Sequence, residues 1–137
     1  MMLIITKNYL KKESEPKEWI TGMYPGDKVQ VDVKYVPSKC LTKELQDKRE
    51  RFFQYTAIDE YMRMRYTWFI NEHSTYMSSE FAKRLVRYFP FKIKTIQTDN
   101  GFEFTNRLSW SKKLQSTKTL FEETLDELGI EYKNTKI

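Results

Sequence analysis

The chain has 137 residues, and its 24 Lys+Arg against 19 Asp+Glu give a net charge of +5. This length suits one domain, and an aromatic fraction of 15% supplies enough apolar area for a packed core, which excludes a disordered chain. A single cysteine, Cys40, and a single histidine, His73, exclude an internal disulfide and a Cys/His zinc site. The apolar opening over residues 1–5 is too short for a signal peptide or a membrane span, so we expect a reduced, cytoplasmic protein without a membrane partner.

The first part of the chain divides into a lead-in and a run of strands. Residues 1–26 carry mixed charges without a clear period and end at a Pro25-Gly26 turn, so we expect a lead-in segment followed by one domain over residues 27–137. Alternating apolar and polar residues predict three strands, over residues 28–36, 51–59 and 62–71. A link of two or three residues around Glu60-Tyr61 joins the last two strands, which favours an antiparallel meander.

Helices and strands alternate in the second part. Ser74 or Thr75 has the position of an N-cap before apolar residues that recur every four positions, and Pro90 ends this helix. Thr119 begins a capping box for a second helix. The predicted elements here are a helix to residue 89, a strand over 93–97, an irregular stretch over 102–117, a helix over 118–128 and a strand over 130–134. This order predicts an α/β fold in which the later strands run parallel to the first.

Two aspartates occupy positions that such a fold brings together. Asp32 lies in the first strand, on the face opposite three valines, and Asp99 follows the fourth strand in an Asn-Gly turn. Paired carboxylates suit Mg²⁺, which binds oxygen ligands and activates water or a hydroxyl for attack on a phosphodiester. The alternative is ordinary: a strand commonly points polar residues at solvent, and Asp-Asn-Gly is a common turn.

The segments around both aspartates resemble those of a known family. VQVDVKYV (residues 29–36) and IQTDNGFEF (96–104) resemble the first two acidic motifs of integrase and insertion-sequence transposase catalytic cores. TAIDEYMR (56–63), PFKIK (90–94) and LGIEY (128–132) are similar to the connecting phrases of that superfamily. The resemblance implies a ribonuclease H-like fold with three antiparallel and two parallel strands. It also implies a polynucleotidyl transferase that cleaves and joins DNA with Mg²⁺ or Mn²⁺, with Asp32 and Asp99 as catalytic metal ligands.

The same resemblance leaves one expected acid without a counterpart. The family's third acid lies on a helix after the last strand, whereas only Thr135-Lys136-Ile137 follow that strand here. We therefore expect a core that lacks this C-terminal helix, binds its metal weakly and is catalytically incomplete. The acids of the preceding helix are expected on its solvated face, and Glu131 on the last strand. Two alternatives remain: a degenerate, non-catalytic nucleic-acid-binding or oligomerisation module, and a ribonuclease H-type nuclease.

Basic residues after the first helix predict contacts to DNA phosphates. The candidates are Lys92, Lys94, Arg107, Lys112, Lys113 and Lys118. Phe102, Phe104 and Trp110 are interleaved with them and either stack on bases or pack in the core, and core packing is favoured. We expect no small-molecule cofactor. We expect a homodimer, formed through an apolar patch on the sheet face that the missing helix leaves bare.

Three polar residues near these motifs are expected to be structural. Asp59 ends the second strand and favours a turn or backbone hydrogen-bonding role over metal binding. Glu103 is read as structural, although a contact near the metal is the alternative. His73, which precedes the first helix, is expected to be a surface or capping residue rather than a catalyst.

Overall fold

The computed structural model describes residues 22–135, so the expected lead-in lies outside the described residues except for 22–26. Within this range the strands and helices, in chain order, are β1 (Val29–Val36), α1 (Lys43–Asp47), β2 (Phe52–Asp59), β3 (Arg65–Ile70), α2 (Thr75–Tyr88), β4 (Thr95–Thr98), α3 (Lys112–Gln115), α4 (Leu120–Leu128) and β5 (Glu131–Asn134). The predicted strands and long helices are confirmed to within a few residues. The short helices α1 and α3 were not predicted, because their few residues show no helical period.

The five strands form one mixed sheet in the order β3-β2-β1-β4-β5. β1, β2 and β3 pair antiparallel, with Val31 opposite Ala57. β4 pairs parallel with β1, and β5 pairs parallel with β4. This arrangement confirms the expected α/β class, with a meander followed by parallel strands that helices connect.

The link between β2 and β3 is longer than expected. It occupies residues 60–64 and closes with a bond of 2.9 Å from Asp59 N to Met64 O. Asp59 is fully buried and accepts hydrogen bonds from the backbone N–H groups of Gly26 at 2.9 Å and Met62 at 2.7 Å. The structural role expected for Asp59 is therefore confirmed, and its carboxylate explains why the longer link holds one conformation.

The capping residues correctly predict where the two long helices begin and where α4 ends. Ser74 accepts a hydrogen bond from Met77 N at the start of α2. Thr119 and Glu122 form a complete capping box at the start of α4, and Gly129 follows this helix with φ of +73°. A left-handed φ favours glycine, so the chain turns directly from α4 into β5.

Both long helices pack on the same face of the sheet. Phe81 and Leu85 of α2 and Phe121 and Leu125 of α4 join one buried cluster with the inward residues of the sheet, such as Val31. Among the described residues no helix is long and apolar enough to cross a membrane.

The opposite face of the two central strands is mixed. Cross-strand pairing places there Gln30, Asp32, Lys34, Gln54 and Thr56, together with the apolar residues Val36, Phe52 and Ile58. Phe52 stacks on Phe69 of β3, which is 46% exposed, so the exposed apolar area of this face includes that end of the sheet. The middle of β1 is polar here because Val29, Val31 and Val33 lie on the helix-covered face.

Candidate metal and nucleic-acid site

Asp32 and Asp99 follow a pair of register partners on neighbouring strands. Gln30 of β1 is the register partner of Gln97 of β4, and their side chains are hydrogen-bonded at 2.9 Å. Asp32 and Asp99 each come two residues later, beyond the last residues that pair β1 with β4. Neighbouring strands are about 4.8 Å apart, so an extension of this register would put the two predicted ligands side by side near the end of β4.

Both carboxylates are accessible to solvent. Asp32 is exposed and lies opposite Thr56 of β2. Asp99 is exposed too, and its Oδ1 accepts a hydrogen bond of 2.9 Å from Gly101 N, which fixes the start of the turn. Exposed carboxylates suit a partly hydrated divalent cation.

A partly buried tyrosine, Tyr132, braces the strand end that precedes Asp99. Tyr132 Oη and Thr98 Oγ1 are 2.6 Å apart, and Asn134 Nδ2 donates to Tyr132 Oη at 2.8 Å. Burial raises the pKa of Tyr132 to about 12, so the phenol stays protonated and keeps these hydrogen bonds at ordinary pH. Asn134 Nδ2 also reaches the backbone carbonyl of Asp99 at 3.5 Å. The end of β4 is therefore held from the β5 side.

Glu103 and His73 hold the turn after Asp99 from the other side. The Glu103 carboxylate is buried and pairs with His73 Nε2. Its Oε1 occupies the position that a Cβ at Gly101 would take, and Asp99 Oδ1 lies 3.1 Å from the same point. A side chain at residue 101 would therefore require the end of the Glu103 side chain to move.

Glu103 was expected to be structural, and its buried position agrees with that. His73 was expected to be a surface or capping residue, and its pairing with Glu103 was not predicted. His73 is part-buried, and its ring centroid lies 4.7 Å from that of Phe53 and 4.8 Å from that of Phe102. Nothing in the local sequence signals a bond between residues 30 positions apart.

No third carboxylate joins Asp32 and Asp99 among the residues that the structure describes. Over residues 22–135 no group of three or more His, Cys, Asp or Glu side chains is arranged to hold a metal ion. Glu122 serves the capping box, Asp126 pairs with Lys118, and Glu131 lies beside Thr95 at the other end of the parallel pair. Two carboxylates still fit Mg²⁺, which commonly binds one or two with water completing its shell.

The six candidate DNA-binding cations fall into two groups. Lys92 and Lys94 precede β4, at the end opposite Asp99, and Lys94 Nζ lies 4.0 Å from Asp27 Oδ1. The other four belong to the stretch between β4 and α4, where Arg107 and Lys118 line a cavity of about 320 Å³. Lys118 is ion-paired with Asp126. Arg107 and Lys118 share this cavity with Asn134, whose amide reaches the Asp99 carbonyl, whereas Lys112 and Lys113 are exposed on α3.

The three aromatic residues of this stretch have different environments. Phe104 is buried and packs against Phe121 with ring centroids 5.1 Å apart, as expected for a core residue. Phe102 is 67% exposed and Trp110 is 94% exposed, so the expectation of core packing is wrong for both. Neither residue belongs to the core cluster between the two long helices and the sheet.

Comparison with known families identifies this arrangement. The integrase core domain family matches residues 24–137. The chain belongs to the integrase core domain family. Membership makes it a ribonuclease H-like core of the integrase and transposase type, from a family that uses divalent metals for DNA integration. No curated protein sequence matches the chain significantly.

Solved structures share the fold at low sequence identity. The catalytic core of HTLV-2 integrase in complex with magnesium, in its dimeric form, is 16% identical with a TM-score of 0.58 over 81% of this chain and 61% of that chain. The BIV integrase catalytic core is 14% identical with a TM-score of 0.55 over 80% and 55%. A chain of the simian T-cell lymphotropic virus intasome with the PP2A regulatory subunit B56 gamma is 13% identical, with a TM-score of 0.61 over 85% and 34%. The chain thus spans between a third and three fifths of these proteins.

Proposed function

We propose that this chain is the catalytic core of a DDE-type transposase or integrase and that Asp32 and Asp99 are its first two metal ligands. The observation that supports this role is the shared register of β1 and β4, in which the Gln30–Gln97 pair precedes the two aspartates. An extension of this register would bring carboxylates of two strands to one exposed place, and the positively charged stretch that carries Arg107 follows the Asp99 turn in the chain. We place the protein in the cytoplasm, where a lone cysteine stays reduced.

The chain's own residues hold and orient the site. Asp32 and Asp99 supply oxygen ligands, and Gly101 N fixes one oxygen of Asp99. Tyr132 and the Glu103–His73 pair restrain the Asp99 turn from two sides. A divalent cation bound there would polarise the phosphodiester and activate the attacking hydroxyl.

We infer that the described part of the chain is not sufficient for strand cleavage. Its paired aspartates lack a third carboxylate within residues 22–135, and a two-metal clamp needs ligands for both ions. Metal binding is therefore weak, and a DNA nicking assay with Mg²⁺ or Mn²⁺ should show no activity. Nicking that Asp32→Asn abolishes would overturn this inference.

The metal site is tested by titrating the protein with Mn²⁺ and following the free ion by electron paramagnetic resonance. We expect Asp32→Asn and Asp99→Asn each to weaken binding by roughly tenfold or more, because each removes one of two charged ligands. Asp47→Asn is the matched control, since Asp47 is exposed on α1. Equal Mn²⁺ affinity in all four proteins would disprove the paired site.

A second candidate function is that of a nucleic-acid-binding module without catalysis. It is favoured by residues 104–121, which contain four Lys or Arg and no Asp or Glu. Phosphate contacts from such a stretch give affinity that falls with salt and does not depend on sequence. DNA binding by a protein that takes up no Mn²⁺ in the titration above supports this candidate over the enzyme.

We also infer that the chain self-associates as a homodimer. The HTLV-2 integrase catalytic core has dimeric and trimeric forms, and several large apolar side chains of this chain are exposed, including Leu108 and Trp110. Exposed apolar area favours association. Sedimentation velocity over micromolar concentrations tests this, and a monomer throughout that range would contradict it.

A further inference from the structure

Three aromatic rings in contact lead from the sheet to the turn after Asp99. The ring of His73 lies between Phe53 of β2, at 4.7 Å between centroids and tilted by 31°, and Phe102 in the Asn-Gly turn, at 4.8 Å and tilted by 57°. The buried Glu103 carboxylate pairs with His73 Nε2 and so fixes the middle ring. The outermost ring, Phe102, is held in place although it is 67% exposed. A fixed, exposed aromatic face is a platform to which a flat ring can add without much loss of side-chain freedom.

A cavity of about 240 Å³ adjoins this ring. It is smaller than the roughly 300–1,000 Å³ of pockets for drug-sized ligands, so it suits a single flat group. The amide side chains of Asn100 and Asn106 and the hydroxyls of two further residues give it polar edges. Its lining residues are Asn100, Phe102, Thr105, Asn106, Leu108 and Ser109. Asn100 directly follows Asp99, so a group bound here lies next to the proposed metal site.

The charge of the surrounding stretch specifies what binds. Arg107, Lys112 and Lys113 follow the cavity in sequence and are exposed, and residues 104–121 contain no acid. Such a surface attracts phosphates. A flat group that is attached to phosphates is a nucleobase, and its face is open to an aromatic side chain only where the base is unpaired and unstacked.

We propose that Phe102 and this cavity bind one unpaired nucleobase of a DNA strand, which packs on the exposed face of the Phe102 ring while the phosphates of the strand contact Arg107, Lys112 and Lys113. This assignment rests on the proposed function and adds that the strand is single-stranded beside Asp99. The amides of Asn100 and Asn106 contact the edge of the base, and Phe102 contacts its face.

The test compares a fluorescein-labelled oligothymidylate with a blunt duplex that has the same number of phosphates, by fluorescence anisotropy without divalent metal. We expect the single strand to bind more tightly than the duplex at equal salt. Phe102→Ala should weaken single-strand binding roughly tenfold, as the loss of one base–aromatic stack predicts, and should leave duplex binding unchanged. Phe102→Trp, which keeps an aromatic face, should retain single-strand affinity.

Tyr61→Ala is the matched control. Tyr61 is 50% exposed and lies in the β2–β3 link, at the end of the sheet away from Asp99, so its loss should change neither affinity. Circular dichroism melting of each variant shows whether the fold is kept, and His73→Ala, which removes the support of Phe102 without touching the cavity wall, should weaken single-strand binding in the same direction.

The outcomes separate this inference from the proposed function. Equal affinity for both DNAs, or no effect of Phe102→Ala on the single strand, overturns the base pocket. The proposed function survives that result if duplex binding still weakens in a Lys112→Gln, Lys113→Gln double variant. If the protein binds neither DNA at any salt, both the base pocket and the DNA-binding role are wrong.

Discussion

Asp59 and Asp99 both stand at the end of a strand and before a turn, yet their surroundings differ in every respect that matters for function. Asp59 is fully buried, and two backbone N–H groups, of Gly26 and Met62, occupy its two oxygens. Asp99 is exposed, and Gly101 N bonds to its Oδ1. Both oxygens of Asp59 therefore accept hydrogen bonds that hold the fold, whereas the exposed carboxylate of Asp99 can still bind a ligand.

The comparison shows how burial decides whether an aspartate can bind a metal ion. A buried carboxylate must be satisfied by the protein, so Asp59 organises a link and does not bind metal. An exposed carboxylate carries no such requirement, and a neighbour such as Asp32 adds a second oxygen donor. Three substitutions test this difference, and their expected effects on stability decrease in order.

Asp59→Ala should have the largest effect. It removes both acceptors and leaves the buried N–H groups of Gly26 and Met62 without partners, which costs about 3 kcal/mol of unfolding free energy. Urea denaturation followed by circular dichroism measures this, with the exposed Asp47→Ala as control. A variant as stable as the parent would show that Asp59 does not hold the link.

Tyr132→Phe should have an intermediate effect that depends on pH. Because burial raises the pKa of Tyr132 to about 12, folding favours the protonated phenol. The stabilisation is complete below the unfolded pKa of about 10 and is lost as the pH rises towards about 12. At neutral pH the variant loses about 1 kcal/mol through the hydrogen bonds to Thr98 and Asn134.

The measurement is urea denaturation of both proteins at neutral pH and at about pH 11, the middle of this interval. The parent should lose more stability than Tyr132→Phe over this range, and Tyr55, whose pKa burial also raises, accounts for part of the remaining loss. Identical pH dependence in the two proteins would mean that Tyr132 does not brace the Asp99 strand end through its phenol.

Asp99→Asn should have the smallest effect on stability, within about 0.5 kcal/mol, since the side chain is exposed and asparagine keeps an oxygen for Gly101 N. The same variant should bind Mn²⁺ more weakly, as proposed above, so the substitution affects metal affinity and leaves the unfolding free energy almost unchanged. If instead Asp99→Asn destabilises the protein as much as Asp59→Ala, the distinction between the two turns fails.

Much of the fold was predictable because its signals are local. Alternating valines specify β1, the capping box at Thr119 specifies the start of α4, and Gly129 specifies its end. The parallel pairing of β1 with β4 also followed from the order of elements, because strands joined through a helix commonly run parallel.

The remainder depends on contacts that the sequence does not signal. The bond between His73 and Glu103 joins a loop before α2 to a loop after β4, and no periodicity connects them. The exposure of Phe102 and Trp110 follows from the path of an irregular stretch. Lys92 and Lys94 are close to Arg107 in sequence, but the length of β4 separates them in space.

The parallel pairing of β1 with β4 has a consequence for how quickly this protein can form its site. β2 meets β3 across a few residues, whereas Gln30 meets Gln97 across 67 positions. Closing so long a loop is entropically costly and slows folding relative to a hairpin. The corner that we propose as the metal site thus forms only with global folding, and ion uptake during refolding should lag behind formation of the meander.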